Sequence, residues 1–255
     1  MSITSSDGMN MAMSVGLFLL ISLLLWWFVR RARRQKTPAL RPISAFKMLR
    51  GLLGRVAEDG KVVHLSLGTS GVGGEQTAVV VSGLSVLCYL AGQGVPFGVS
   101  PITTVADPVL MLIAQDVLYR AHQQKGLATR YRSTDVQMVA SDPTAYAVGA
   151  QDIINQENVG ANVMIGNFGD EYLLLGEAGA QREIVQMVGS DAVNVQPFML
   201  ATSEHVLLGE EIFATGAYLT HRPEYVGSLY VQDALRILIV AAIVIGVLAK
   251  TVLGS

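Results

Sequence analysis

The sequence holds one cysteine, Cys88, four histidines and two tryptophans in 255 residues, and 15% of it is charged, against roughly 25% in a typical soluble chain. A single cysteine excludes an intrachain disulfide framework and a cysteine-rich zinc site. His64, His122, His205 and His221 show neither H-x-x-x-H nor H-E-x-x-H spacing, so no metal site can be argued from them. With 51% hydrophobic residues and a mean hydropathy of +0.45, disorder, a collagen-like structure and a coiled-coil rod are excluded, and a purely soluble protein fits poorly. The length allows one or two domains.

Long apolar runs stand at both ends. Residues 8–29 carry no charge and, at ~1.5 Å per residue, are long enough for a hydrocarbon core ~30 Å thick. Trp26 and Trp27 close this run at headgroup level, and Arg30, Arg31, Arg33, Arg34 and Lys36 follow it. A cleavable leader carries its positive charge before the apolar run, whereas only Asp7 is charged there. The arginines predict an outside N-terminus and a cytoplasmic continuation. Residues 237–253 form a second run, with Lys250 placed to snorkel; it reads as a return span, an interfacial or partner-docked helix being the alternative. This arrangement predicts a two-pass protein of the inner (plasma) membrane with both termini outside. Ala12 with Gly16, and Ala242 with Gly246, are small-xxx-small pairs that permit close helix approach.

Nine of the 18 Lys and Arg residues fall between Arg30 and Arg55, while residues 56–233 hold seven against 19 Asp and Glu. A basic collar is therefore joined to an acidic body. The collar suits an anionic inner leaflet, at about 1 kcal/mol per basic side chain near the surface. Ile43, Phe46, Leu49, Leu53 and Val56 recur at helical spacing, with Lys47, Arg50 and Arg55 between them. They describe either an in-plane amphipathic helix on lipid or the first helix of the folded domain. The acidic body has no electrostatic footprint for nucleic acid. The expected divisions are residues 1–29, 30–59, 60–233 and 234–255: first span, basic segment with its amphipathic helix, cytoplasmic α/β domain, and second span with a short tail.

Between the spans, short apolar runs alternate with capped helices. Strands are predicted at residues 61–67, 101–106, 135–140, 161–166, 184–188 and 197–201. Helices are predicted at 76–90, 109–125, 144–158, from about 170, and at 204–219. The helix at 76–90 is apolar on nearly every side and reads as buried rather than as a third span, being short and rich in Ser and Gly. Asp107–Pro108 and Asp142–Pro143 are helix-start signals: the carboxylate accepts from unpaired backbone N–H groups, and proline at the first helical position needs no donor. Repeated strand and capped helix means parallel strands joined by crossovers, hence a Rossmann-like, doubly wound α/β domain. The runs at residues 149–180 (GAQDIINQENVGANVMIGNFGDEYLLLGEAGA) and 207–219 (LLGEEIFATGAYL) resemble an uncharacterised family of bacterial membrane proteins carrying a domain of unknown function. That resemblance covers most of residues 60–236. It implies a membrane-anchored α/β domain and assigns no catalytic residue.

In such sheets ligands bind beyond the strand C-termini, near the topological switch point. The residues expected on that edge are Gly68, Gly71, Gly73, Gly74, Asp107, Asp142, Asn167, Gly169, Asp170, Ser203 and Glu204. The turn GTSGVGGEQT (68–77) could cradle an anion, but it misses G-x-G-x-x-G and lacks the Gly-Lys-Ser/Thr ending of a P-loop. Asp107 stands 33 residues past Gly74, where ~20 is usual for a ribose-binding acid. Carboxylates around the edge would repel phosphate, and as helix caps they need no ligand. Cys88, on an apolar helix without a neighbouring base, reads as packing. His64 reads as a hydrogen-bonded core residue, and Glu204–His205 as a weak acid–base candidate. No G-x-S-x-G motif occurs. No catalytic set and no cofactor are expected. Three readings follow: an interaction module that self-associates or joins a membrane complex, a sensor of a nucleotide or metabolite at residues 68–74, and an enzyme. The first is preferred.

Overall fold

A computed structural model describes residues 5–34 and 40–253; Lys36 and the side chains of Ala12 and Arg34 lie outside what is described. The chain divides into two compact units, Met1–Leu40 with His221–Ser255, and Arg41–Thr220.

The first unit is a pair of long helices, α1 (Ser5–Arg34) and α9 (Pro223–Leu253). Arg33 pairs with Glu224 at 3.0 Å, and Phe28 meets Tyr230 with ring centroids 6.0 Å apart. Rising numbers on α9 thus meet falling numbers on α1, so the two helices are antiparallel. They lie close together at Gly227, where an added Cβ would lie 2.6 Å from a Val29 methyl and 3.0 Å from its Cα. Within the chain, nothing lies within 4 Å of a Cβ added at Gly16 or Gly246. Arg30 and Arg31 lie over the Trp26 and Trp27 rings, 5.4 and 5.6 Å from the ring centres.

The second unit is built on a sheet of six parallel strands: β1 (Val62–Gly68), β2 (Ile102–Val105), β3 (Val136–Met138), β4 (Val159–Asn167), β5 (Val185–Ser190) and β6 (His205–Leu208). Their order is β3-β2-β1-β4-β5-β6, so the direction of winding reverses between β1 and β4. This is the doubly wound order with its switch point at the sheet centre. One layer contains α2 (Ser44–Glu58), α3 (Thr77–Gly94), α4 (Pro108–Gln124) and α8 (Thr215–Thr220), which close a core over Val63, Leu65, Leu67, Val163 and Ile165. The other contains α5 (Pro143–Gln156), α6 (Tyr172–Gln181) and α7 (Gln196–Thr202), packed around Tyr146, Phe168, Tyr172 and Met164. Asp107 and Asp142 act as expected: each carboxylate accepts from the backbone N–H three residues on, at 2.7 and 2.9 Å.

Three expectations change and one open choice, that of α2, is resolved. Residues 197–201 belong to α7 and not to a strand, because Pro197 occupies its first turn, where the missing N–H is harmless. The expected helix at 204–219 is β6, a 3₁₀ segment Gly209–Ala214 and the short α8. The apolar stripe of α2 is not left for lipid: Ala45, Phe46, Met48, Leu49, Leu52, Leu53 and Val56 are all buried in the domain core. Cys88 is exposed, because α3 turns Val81 and Cys88, seven residues apart, outward.

Among the described residues, three helical stretches are long and apolar enough to cross a membrane: Met13–Arg33, Thr77–Phe97 and Pro223–Thr251. Burial separates them. The outer two are 0% and 6% buried, whereas the middle one, on α3, is 56% buried because one of its sides packs into the domain core.

Candidate functional site

The switch point brings together Gly68, Gly71, Asp107, Asn167 and Gly169 at the C-terminal ends of β1, β2 and β4. Gly68 has φ +76° and sits so tightly on β4 that a Cβ would strike the Asn167 carbonyl oxygen, a position only glycine fills without strain. Gly71 faces Asp107, where an added Cβ would lie 2.9 Å from Oδ2. The turn is tied to itself and to its surroundings. The Thr69 N–H donates to the Asn167 carbonyl (3.1 Å), Ser70 Oγ donates to Gln76 Oε1, and the Gly73 N–H donates to Thr77 Oγ1 (3.0 Å). Thr77 Oγ1 donates in turn to the Gly74 carbonyl (2.6 Å). The N–H groups of Thr69 and Gly73 are therefore engaged within the protein rather than directed at a ligand.

Two carboxylates that the sequence did not single out complete this edge. Glu171 accepts from the Gly169 N–H at 2.8 Å, and Asp191 lies 3.4 Å from the Asn167 amide. The signal for Glu171 was its place two residues past Gly169. With Asp107, they give the crevice a negative character. Of the domain's other basic residues, Lys61 and Arg182 precede β1 and β5, Arg120 is on the second half of α4, Lys125, Arg130 and Arg132 fall between α4 and β3, Lys47, Arg50 and Arg55 lie on α2, and Arg41 pairs with Glu211 past the end of β6 at 3.1 Å. Among the described residues, no group of three His, Cys, Asp or Glu side chains could hold a metal ion.

The remaining candidates are scattered. Asp142 caps α5 at the end of β3. Asp170 is exposed and makes no cap, the residue before α6 being Glu171. Glu204 precedes β6 and so lies on the opposite edge of the sheet, away from the crevice, where its neighbour His205 does not pair with it. Ser203 donates to the Gln186 carbonyl at 2.8 Å. Of the basic collar, Lys47 is exposed and Arg50 donates to the Tyr218 carbonyl at 2.9 Å.

Directly under the crevice, on the α5–α7 face, runs a polar row that sequence reading did not connect. His64, Thr104, Asn162 and Gln186 come from four neighbouring strands and are each at most 4% exposed. The direction of their hydrogen bonds follows from one end. Gln186 Nε2 donates to the carbonyls of Gly176 (2.9 Å) and Thr202 (2.8 Å), which leaves Oε1 to accept from Asn162 Nδ2 at 3.1 Å. Asn162 Oδ1 then accepts from His64 Nδ1–H at 2.8 Å. His64 Nε2 in turn accepts from Thr104 Oγ1–H at 3.1 Å. The Tyr146 hydroxyl lies 3.0 Å from Thr104 Oγ1 and 2.6 Å from Ser66 Oγ. Each group of a buried row must find a partner or cost about 1–3 kcal/mol. Burial lowers the His64 imidazole from 6.5 to about 4, opposed by its bond to Asn162. It likewise pushes the Tyr146 phenol up to about 12. Both stay neutral at physiological pH. The row ties four neighbouring strands to one another.

No curated protein and no solved structure matches the chain. The model of the domain of unknown function DUF6754 matches residues 5–255, helices and α/β domain together, and the chain therefore belongs to that family.

Proposed function

We propose that this is a two-pass membrane protein whose cytoplasmic α/β domain is a docking module for a second protein chain, either another copy of itself or a subunit of a membrane complex. The observation that carries this reading is the strand C-terminal edge. Its crevice is filled by its own hydrogen bonds and faced by carboxylates, yet apolar side chains stand exposed around it. These are Val72 in the first turn, Val109 on α4, Met138 at the end of β3, Leu173 on α6, and Val193, which is 76% exposed just past β5. Apolar groups grouped on one edge mark contact surfaces more often than solvent faces. The carboxylates among them favour a partner carrying basic groups.

The anchor reading is supported by the outward-facing apolar surfaces of α1 and α9 and by their antiparallel pairing. The chain leaves α1 and enters α9 at one end, where Arg30, Arg31 and Arg33 cluster, which agrees with an anionic cytoplasmic leaflet. Reporter fusions are expected to be active in the cytoplasm at residue 130 and outside the cell at the C-terminus. An externally active fusion at residue 130 would overturn this topology.

Docking is tested on the detergent-solubilised full chain by light scattering. The expected result is an oligomer or a defined complex, weakened at least tenfold by Val193→Asp with Leu173→Asp. Protection of residues 68–74 from hydrogen exchange by a nucleotide, with no association, would instead favour the sensing reading.

A further inference from the structure

On the opposite edge of the sheet, below the N-terminal ends of β2 and β3, lies a cavity of about 160 Å³ lined by Ser100, His122, Arg130, Arg132 and Asp135, among others. It is large enough for several waters or one small oxyanion. Asp135 is only 4% exposed, and although Oδ1 pairs with Arg132 at 3.0 Å, Oδ2 is buried with no hydrogen-bond partner. The Ser100 hydroxyl beside it is also buried and unpartnered. His122, 3% exposed, donates from Nδ1 to the Leu118 carbonyl at 2.9 Å. An orphaned buried carboxylate oxygen is rare in a folded protein and points to a missing donor.

We infer that this cavity binds a small phosphate-class oxyanion, inorganic phosphate or a phosphate monoester, that keeps a proton. The chemistry asks for two things at once. Arg130 and Arg132 supply guanidinium forks, which match tetrahedral oxyanions, and with Asp135 they leave one positive charge to be balanced. Asp135 Oδ2 asks for a donor, which a protonated phosphate oxygen provides and fully ionised sulfate does not. A zwitterion could satisfy Asp135 but would leave the extra positive charge unbalanced. The site is distinct from the docking edge and does not depend on it.

The test is calorimetric titration of the detergent-solubilised full chain with inorganic phosphate and with sulfate. Phosphate is expected to bind at least tenfold more tightly than sulfate. Arg130→Met, on an exposed turn, should weaken phosphate at least tenfold while leaving the thermal unfolding midpoint unchanged. Asp135→Asn replaces the orphaned acceptor with an amide that can donate, so phosphate and sulfate should then bind within about twofold of each other. Ser100→Ala provides a second variant that keeps the charges, with an expected severalfold loss. Absence of phosphate binding at millimolar concentration, equal binding of the two anions by the unmodified protein, or an Arg130→Met variant that binds unchanged would each overturn the proposal, water being then the occupant.

Discussion

Replacing Asn162 by leucine is expected to destabilise the α/β domain by about 2–6 kcal/mol, although the side chains are similar in size. Asn162 is fully buried and joins His64 to Gln186. Removing it leaves the His64 Nδ1–H and Gln186 Oε1 facing an apolar methyl, and each orphaned group costs about 1–3 kcal/mol. That is a large part of the 5–15 kcal/mol that holds a typical domain together. Exchange of the slowest amides of β1 and β4 would report the change. Replacing Asn162 and Gln186 together with apolar residues should be less damaging than the sum of the single changes, because the two share one bond. Additive losses would show that the row is not coupled.

Acid is expected to weaken the same row. His64 titrates near 6.5 when unfolded and at about 4 in the fold. Below pH 6.5 the unfolded chain binds a proton that the native state refuses. The native state therefore loses stability as the pH falls from 6.5 to about 4, and the loss levels off below that. The interval corresponds to roughly 3 kcal/mol at 1.36 kcal/mol per pH unit. Carboxylates add their own pH dependence, so the informative quantity is the difference between the unmodified protein and His64→Gln. The variant is less stable at pH 7 but should show a flatter decline between pH 6.5 and 4. Parallel pH curves would mean that His64 is not held neutral.

The first half of the parallel sheet was legible because β1, β2 and β3 are short, largely apolar runs followed by a glycine-rich turn, Asp107–Pro108 and Asp142–Pro143. The last third of the domain was harder to read. PFMLA at residues 197–201 is too short for periodicity to distinguish strand from helix, although Pro197 argued against an inner strand. Phe46, Leu49, Leu53 and Val56 announced an apolar helix face but not its occupant; the domain core and a lipid surface ask for the same pattern. Cys88 was misjudged because α3 is apolar all round, so its outer stripe has no polar signature.

Gly68, Gly71, Asp107, Asn167 and Gly169 follow short apolar runs in the sequence and lie at strand C-termini in the fold. Glu204 was misplaced with the helix it was thought to begin. The polar row was invisible for a different reason. His64, Thr104, Asn162 and Gln186 lie on four strands far apart in sequence, and only the sheet order makes them neighbours. The cavity at Asp135 was hidden in the same way, since Ser100 precedes β2, His122 is in the last turn of α4 and Asp135 precedes β3.

The most direct test of the docking reading is photo-crosslinking in native membranes from a reactive residue placed at Val193, with the exposed Gln123 on the opposite edge as the comparison position. A docking module predicts a discrete crosslinked product containing a second protein chain from Val193, lost on adding Leu173→Asp, and no such product from Gln123. No product from Val193, together with a monomer by light scattering in mild detergent at micromolar concentration, would contradict it.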